Sequence, residues 1–331
     1  MKGSHRIIAE TARIKYDFTI RRNLTILQGN SATGKTTLVD LLHDSTRGEI
    51  ASSIRLTSDV PCIVYSAQET DWRTLIPSYE GSIVFIDEGY RFIRTKEFAD
   101  LIRTTDNYYV LVTRESIPTL PYSINEIYGI RTSGRYHFPK QVYHEFYPIY
   151  EDVVICVDQQ TVGSYVVTED SGAGYLFLRA CNSQPELCVS TNGNTGVYRM
   201  LRDLPKDRPV AVIADGAAFG ALIEKVLTIA EYRKDTMLYL PESFEWIILK
   251  SGILNAPELK DVLERPEDFI DSRIHFSWDQ FFTSYLRDLT SGDAVRRYAK
   301  DHLPAFYTQG QNKERILAVI PEEMQRAVTG G

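Results

Sequence analysis

One stretch of this chain constrains its fold more than any other: Gly29-Asn30-Ser31-Ala32-Thr33-Gly34-Lys35-Thr36-Thr37. A short β-rich run, Asn23-Leu24-Thr25-Ile26-Leu27-Gln28, precedes it. Leu38-Val39-Asp40-Leu41-Leu42 follows with helical apolar spacing. The pattern GxxxxGK[ST] is met at every fixed position, in the strand, loop and helix setting that it requires. Gly29 and Gly34 let the backbone curl so that successive amides face one anion, and the helix N-terminus adds partial positive charge. Lys35 is then placed to reach the β- and γ-phosphates of a nucleotide, and Thr36 to ligate Mg²⁺. The expectation is ATP with Mg²⁺, cradled by Gly29 through Thr37.

A second element fits the first. Ser82-Ile83-Val84-Phe85-Ile86 reads as a buried strand ending in Asp87-Glu88. A carboxylate at a strand tip beside a phosphate loop can hold the Mg²⁺ shell, and its neighbour can polarise an attacking water. Tyr108-Tyr109-Val110-Leu111-Val112 is a third strand, ending in Thr113-Arg114-Glu115. Together these features resemble the Walker A and Walker B pair of P-loop NTPases, in the subgroup that hydrolyses ATP with a catalytic glutamate. The resemblance implies that Lys35 and Glu88 are catalytic, that Asp87 shares the Mg²⁺ with Thr36, and that Thr113 senses the γ-phosphate. Gln68, after the strand Cys62–Tyr65, takes a Q-loop position. Arg91 and Arg94 read as surface charges. The opening strands, within Ile7–Ile20, look ABC-like, but no LSGGQ-like signature exists in the chain. The first half is therefore read as a reduced P-loop core, built on a parallel sheet.

Past a boundary near Pro148–Val153, strands and helices alternate again. Val153–Val157, Tyr165–Thr168, Glu186–Ser190, Pro209–Ile213 and Met237–Leu240 read as strands. Helices are expected from Gly174, over Val197–Leu204 and over Phe219–Ala230. This pattern predicts a parallel sheet with right-handed crossovers. Glu169 and Asp215 each follow a strand. In such a sheet their carboxylates converge on the ligand-binding edge, where a pair of them suits Mg²⁺ or Mn²⁺. The order resembles a Toprim domain, with Glu169 as its first acid, Asp215 as the first Asp of DxDxxG and Gly220 as that motif's glycine. The pattern departs at Ala217, where the second Asp would stand, and at Ala173. A P-loop ATPase joined to a Toprim domain is the layout of the OLD-family nucleases, and that resemblance implies action on DNA and a part in antiviral defence. The simpler reading of this half is a Rossmann-like module without metal. Beyond Ala256 the chain reads as helical, over Pro257–Leu263, Trp278–Leu289, Ala294–Leu303 and Lys313–Val319. Phe244 and Trp246 read as packing anchors.

The expected architecture is α/β. A P-loop ATPase domain spans 1–150, a smaller Toprim-like α/β domain 151–255 and a helical segment 256–331. The length of 331 residues suits about two domains and an extension. No apolar run reaches the roughly 18 residues of a membrane helix, and the opening MKGSHRIIAETARIK lacks the apolar core of a secretory signal. Cys62, Cys156, Cys181 and Cys188 show no paired spacing, which suits free thiols in the cytoplasm. The six histidines are scattered and form no zinc pattern. Residues 1–150 hold 18 basic and 17 acidic side chains, and 151–331 hold 19 and 27. The acidic second half speaks against a bare nucleic-acid-coating surface.

Three functions remain open at this stage. The first is an ATPase whose nucleotide state controls a Toprim-like effector acting on nucleic acid or a partner protein. The second is an ATP-driven switch or scaffold with a catalytically silent second half, which Ala173 and Ala217 favour. The third is a small-molecule kinase, which Asp87-Glu88 argues against. An oligomer is compatible with all three.

Overall fold

The computed structural model describes residues 1–29, 34–47, 53–66, 71–137, 140–150 and 163–330. The expectations for Asn30, Ser31, Ala32, Thr33, Gln68 and the strand Val153–Val157 lie outside those residues, as does Cys156. The chain forms two compact units. One comprises Met1–Glu151 and Pro266–Ser277, the other Asp152–Arg265 and Trp278–Gly331.

The first unit is built on β1 (His5–Glu10), β2 (Ile14–Ile20), β3 (Leu24–Leu27), β4 (Arg55–Thr57), β5 (Cys62–Val64), β6 (Ile83–Ile86), β7 (Tyr108–Val112), β8 (Ile127–His137) and β9 (Gln141–Pro148). Its helices are α1 (Lys35–Arg47), α2 (Trp72–Leu75) and α3 (Lys96–Ile102). The nine strands make one sheet in the order β4-β1-β2-β9-β8-β3-β7-β6-β5. This corrects the expectation of a parallel sheet. The half from β8 to β5 is parallel, but β1 pairs antiparallel with β2 and β4, and β8 with β9. The cause is local: β1 and β2 are joined at Thr11, whose hydroxyl oxygen accepts the amides of Arg13 and Ile14 at 3.2 Å. So short a connection permits only antiparallel pairing.

Alternation along β7 shows why its run is apolar throughout. Tyr108, Val110 and Val112 join a core with Leu27, Phe85 and the α1 residues Leu38, Val39 and Leu42. Tyr109 lies edge-on to Phe98 of α3, beside Trp72 and Phe92, which stack at 4.8 Å. Both faces of the strand are covered, as buried parallel strands require. The segment Pro266–Ser277 completes this unit. Phe276 accepts the Asn23 side-chain amide at 2.6 Å, and Glu267 accepts the Gly3 amide at 2.8 Å.

The second unit has a four-stranded, wholly parallel sheet. Its strands are β10 (Tyr165–Thr168), β11 (Cys188–Ser190), β12 (Val210–Ile213) and β13 (Thr236–Tyr239), in the order β11-β10-β12-β13. Helices α4 (Ala173–Cys181), α5 (Asn194–Asp203) and α6 (Ile223–Tyr232) connect them. The chain leaves β10 towards β11 and then returns to β12 on the other side, so right-handed crossovers put α4 and α5 on opposite faces. Then follow α7 (Phe244–Lys250), α8 (Leu259–Glu264), α9 (Trp278–Thr290), α10 (Ala305–Thr308), α11 (Gly310–Leu317) and α12 (Glu322–Thr329). The helix α12 packs back on β10, β12 and α4.

Three expectations for this unit are corrected. The strand read at Glu186–Ser190 begins only at Cys188, because Pro185 opens a 3-10 turn over Pro185–Leu187. The helix read from Phe219 begins at Ile223, after 3-10 turns at Gly216–Ala218 and Gly220–Leu222. The helix read over Ala294–Leu303 does not form. Asp293 accepts the Val295 amide at 2.9 Å, and its carboxylate also pairs with the Arg296 side chain at 2.7 Å. The chain turns there and runs irregularly to Pro304.

Candidate functional site

Two places concentrate polar groups, one in each unit. In the first unit, β3 is the strand at which the chain reverses, with β7-β6-β5 on one side and β8 on the other. Ligands of α/β sheets sit outside the carboxyl ends of the strands at such a point. Gly29, Lys35, Asp87 and Thr113 all follow the carboxyl ends of β3, β6 or β7. Gly29 and Gly34 have φ of +132° and +94°, conformations that favour glycine. Lys35 is buried, and its ammonium donates to the Gly29 carbonyl at 2.5 Å. Tyr16 donates to the Gly34 carbonyl at 2.9 Å, and a Cβ on Gly34 would stand 2.8 Å from its hydroxyl. Burial pushes the Tyr16 phenol up to about 12, so it stays a neutral donor.

Burial lowers the Lys35 ammonium below its ordinary value; Glu88 and Asp87 oppose this and Arg114 adds to it. The acids at the end of β6 and the lysine at the start of α1 therefore share one electrostatic neighbourhood. Arg114 pairs with Glu88 at 2.9 Å, and Asp87 accepts the Glu88 amide at 2.8 Å. Thr36 and Thr37 are exposed. Thr113 is buried, and its hydroxyl donates to the Glu115 carbonyl at 2.8 Å and accepts the Glu115 amide at 3.1 Å. That hydroxyl shapes the turn after β7. Arg94 pairs with Glu115 at the surface. The donor set of helix amides, lysine and threonine hydroxyls, with a strand-end carboxylate, fits a nucleotide triphosphate with Mg²⁺.

In the second unit, Glu169 and Asp215 stand just beyond β10 and β12, the central pair of the sheet. The Asp215 backbone amide lies near enough to the Glu169 carboxyl to favour its ionised form, against the effect of burial. Gly216 packs backbone against backbone: a Cβ there would lie 2.4 Å from the Leu240 carbonyl oxygen. This approach brings the Phe244 amide to Asp215 at 3.1 Å. Glu245 of α7 accepts the Tyr298 hydroxyl at 2.6 Å. Lys300 sets its ammonium 3.6 Å from Asp170. Glu169, Asp170, Asp215, Glu245, Tyr298 and Lys300 all line one pocket.

The charges in this pocket are strongly perturbed. Burial, and then Asp170, raise the Glu169 carboxyl. Burial, and then Glu169, Glu245 and Asp279, raise Asp215 well above the carboxylate range. Burial alone would lower the Lys300 ammonium, but Asp215, Glu245, Asp170 and Asp279 outweigh it and raise it. One oxygen each of Glu169 and Asp279 is buried without a hydrogen-bond partner among the described residues. Ala173 and Ala217, where the Toprim-like pattern would place acids, are buried alanines. Among the described residues, no three His, Cys, Asp or Glu side chains gather to hold a metal ion. The donor set here does not fit the divalent ion expected at Glu169 and Asp215.

Set against family models, curated proteins and solved structures, the chain matches none of them.

Tyr16, Glu245, Asp279, Tyr298 and Lys300 escape a reading of the sequence. Glu245 carried one usable signal: Ser243 caps α7 by accepting the Trp246 amide at 3.2 Å, which sets the face that Glu245 turns inward. Lys300 carried none, because its segment has the composition of a helix. No helix among the described residues is long and apolar enough to cross a membrane.

Proposed function

We propose that the first unit is a P-loop ATPase. The observation that carries this reading is the shared neighbourhood of Lys35, Asp87 and Glu88 at the carboxyl edge of β3 and β6. The amides at the start of α1 and the Lys35 ammonium bind the phosphates. Thr36 and Asp87 would hold Mg²⁺, which neutralises phosphate charge when bound. Glu88 orients the attacking water, and its pairing with Arg114 at 2.9 Å holds the carboxylate in place beforehand. Arriving phosphates compete for Arg114 and release Glu88 for that task.

Two variants test this. Lys35→Ala is expected to weaken ATP binding by about ten- to a hundredfold, the worth of a charged hydrogen bond. Glu88→Gln is expected to keep binding and lower turnover by at least about a hundredfold. Equal hydrolysis by wild type and Glu88→Gln would remove Glu88 from the reaction.

For the second unit we favour the reading as a Toprim-like module that has left metal-dependent cleavage. Its strand order with Glu169 and Asp215 at adjacent ends supports the likeness, and Ala173 and Ala217 support the loss. The protein then acts as an ATP-driven switch whose second unit engages nucleic acid or a partner protein. Incubation with DNA and RNA, with Mg²⁺ or Mn²⁺ and ATP, is expected to give no cleavage while ATP is consumed. Cutting that disappears in both Glu169→Ala and Asp215→Ala would reverse this.

A further inference from the structure

The second unit's pocket is lined by carboxylates from three elements of the fold. Glu169 and Asp170 come from the end of β10, Asp215 from the end of β12 and Glu245 from α7, while Asp279 at the start of α9 acts on Asp215 and Lys300 electrostatically from outside the lining. Such a collection has to be neutralised, because unpaired charge in a partly buried site is costly. Among the described residues that line it, one is a cation, Lys300.

Lys300 is held there by its surroundings. Two residues earlier, the Tyr298 hydroxyl donates to Glu245 at 2.6 Å and the Tyr298 amide donates to the Thr290 hydroxyl at 3.0 Å. Tyr307 donates to the Arg296 carbonyl at 2.5 Å. Gly172 provides the seat: a Cβ there would meet the Lys300 carbonyl oxygen at 2.8 Å. The segment from Arg296 to Lys300 is thus anchored at both sides and fitted against the start of α4.

We propose that Lys300 is the resident cation of this pocket, standing where a Toprim-like arrangement would carry a divalent metal. The ammonium supplies one positive charge among Asp170, Asp215, Glu245 and Asp279 and leaves the pocket closed to Mg²⁺ and Mn²⁺. The missing acids at Ala173 and Ala217 fit the same picture, since a lysine needs fewer carboxylates than a divalent ion. This inference deepens the reading of the second unit as Toprim-like and does not depend on ATP hydrolysis by the first.

The test is Mn²⁺ binding to the full-length, nucleotide-free protein, followed by the electron paramagnetic resonance of free Mn²⁺. Wild type and Asp215→Asn are expected to bind Mn²⁺ alike. Lys300→Met is expected to gain a site at least tenfold tighter than any in wild type, lost again in Lys300→Met/Asp215→Asn. Gly172→Ala displaces the Lys300 backbone while removing no charge, its methyl also standing 3.2 Å from the Asp170 carboxylate, and is expected to gain the same site, which keeps the test open should Lys300→Met fail to fold. Wild-type Mn²⁺ binding that falls in Asp215→Asn would overturn the proposal, as would folded Lys300→Met and Gly172→Ala proteins that gain nothing. Loss of ATP turnover in Glu88→Gln, or its absence, leaves these outcomes untouched.

Discussion

Arg233 shows how much one buried side chain can organise. Its guanidinium donates to the carbonyls of Leu204 at 2.8 Å, Pro205 at 2.6 Å, Arg208 at 3.1 Å and Leu201 at 3.4 Å, and it pairs with Asp235. It thereby pins the loop between α5 and β12, which delivers the strand that carries Asp215. Arg233→Met is expected to cost about 3 kcal/mol in urea unfolding, because several buried carbonyls lose their donor. Arg233→Lys should recover little of it, since an ammonium lacks the planar fork. The carboxylates make a separate, pH-linked prediction. Burial pushes Glu169 above its ordinary 4.5, to about 8, so the folded state holds a proton that the unfolded chain has released. Stability from this source is complete below 4.5 and is lost as pH rises towards 8. Glu169→Gln should flatten that decline in a series of melting temperatures. The placement of Lys35 could be read from the sequence because it follows from one strand, loop and helix, and that of Glu88 because it follows an apolar strand, β6. Lys300 could not, because its role depends on contacts with Gly172 and Asp170, far away in the chain.

At the scale of elements, what could be read was what local chemistry decides. The strands β3, β6, β7, β10 and β12 are continuous apolar runs, and their burial on both faces explains the runs. The hairpin of β8 and β9 could not be found this way. Its outward positions carry Gly129, Arg131, Tyr143 and Glu145, and Tyr147 lies over Gly129, where a Cβ would be 2.5 Å from its ring. No simple alternation survives such a face. The turn after β12 is equally dependent on one glycine. The amides of Gly216 and Ala217 donate to the carbonyls of Pro241 at 2.6 Å and Glu242 at 3.3 Å. Gly216→Ala forces a methyl group against the Leu240 carbonyl oxygen, and is expected to lower stability by about 1–3 kcal/mol. Near-ultraviolet circular dichroism should report the accompanying shift of Trp246 on α7. An unchanged spectrum and unfolding midpoint would show that the loop yields without cost.

Across the whole molecule, the chain crosses between its units three times. It leaves the first near Glu151, returns for Pro266–Ser277 and leaves again at Trp278. The acidic excess is only partly divided the same way: 151–331 holds 27 acidic and 19 basic side chains, but Glu151, Glu267, Asp268 and Asp271 of that range belong to the first unit. Nothing in the composition of Pro266–Ser277 marks it as part of the first unit, because its contribution is made by carbonyls offered to Gly3 and Asn23 and by the Phe276 ring under Arg103 at 4.9 Å. A fragment of residues 1–150 should therefore show weakened hydrogen-exchange protection at Gly3 and along β3. A synthetic 266–277 peptide added in excess should restore part of that protection.

That discontinuity governs the order of events on the ribosome. At roughly 5–20 residues per second, most of the first unit is translated early but is not yet complete. It waits for Ser277 while the stretch that includes β10 to β13 emerges between its two parts. The second unit in turn lacks α9, Lys300 and α12 until the last residues appear. The first unit can close once Ser277 has emerged and the second only once α12 has, so apolar sheet faces stay uncovered for long intervals in which holding chaperones can bind.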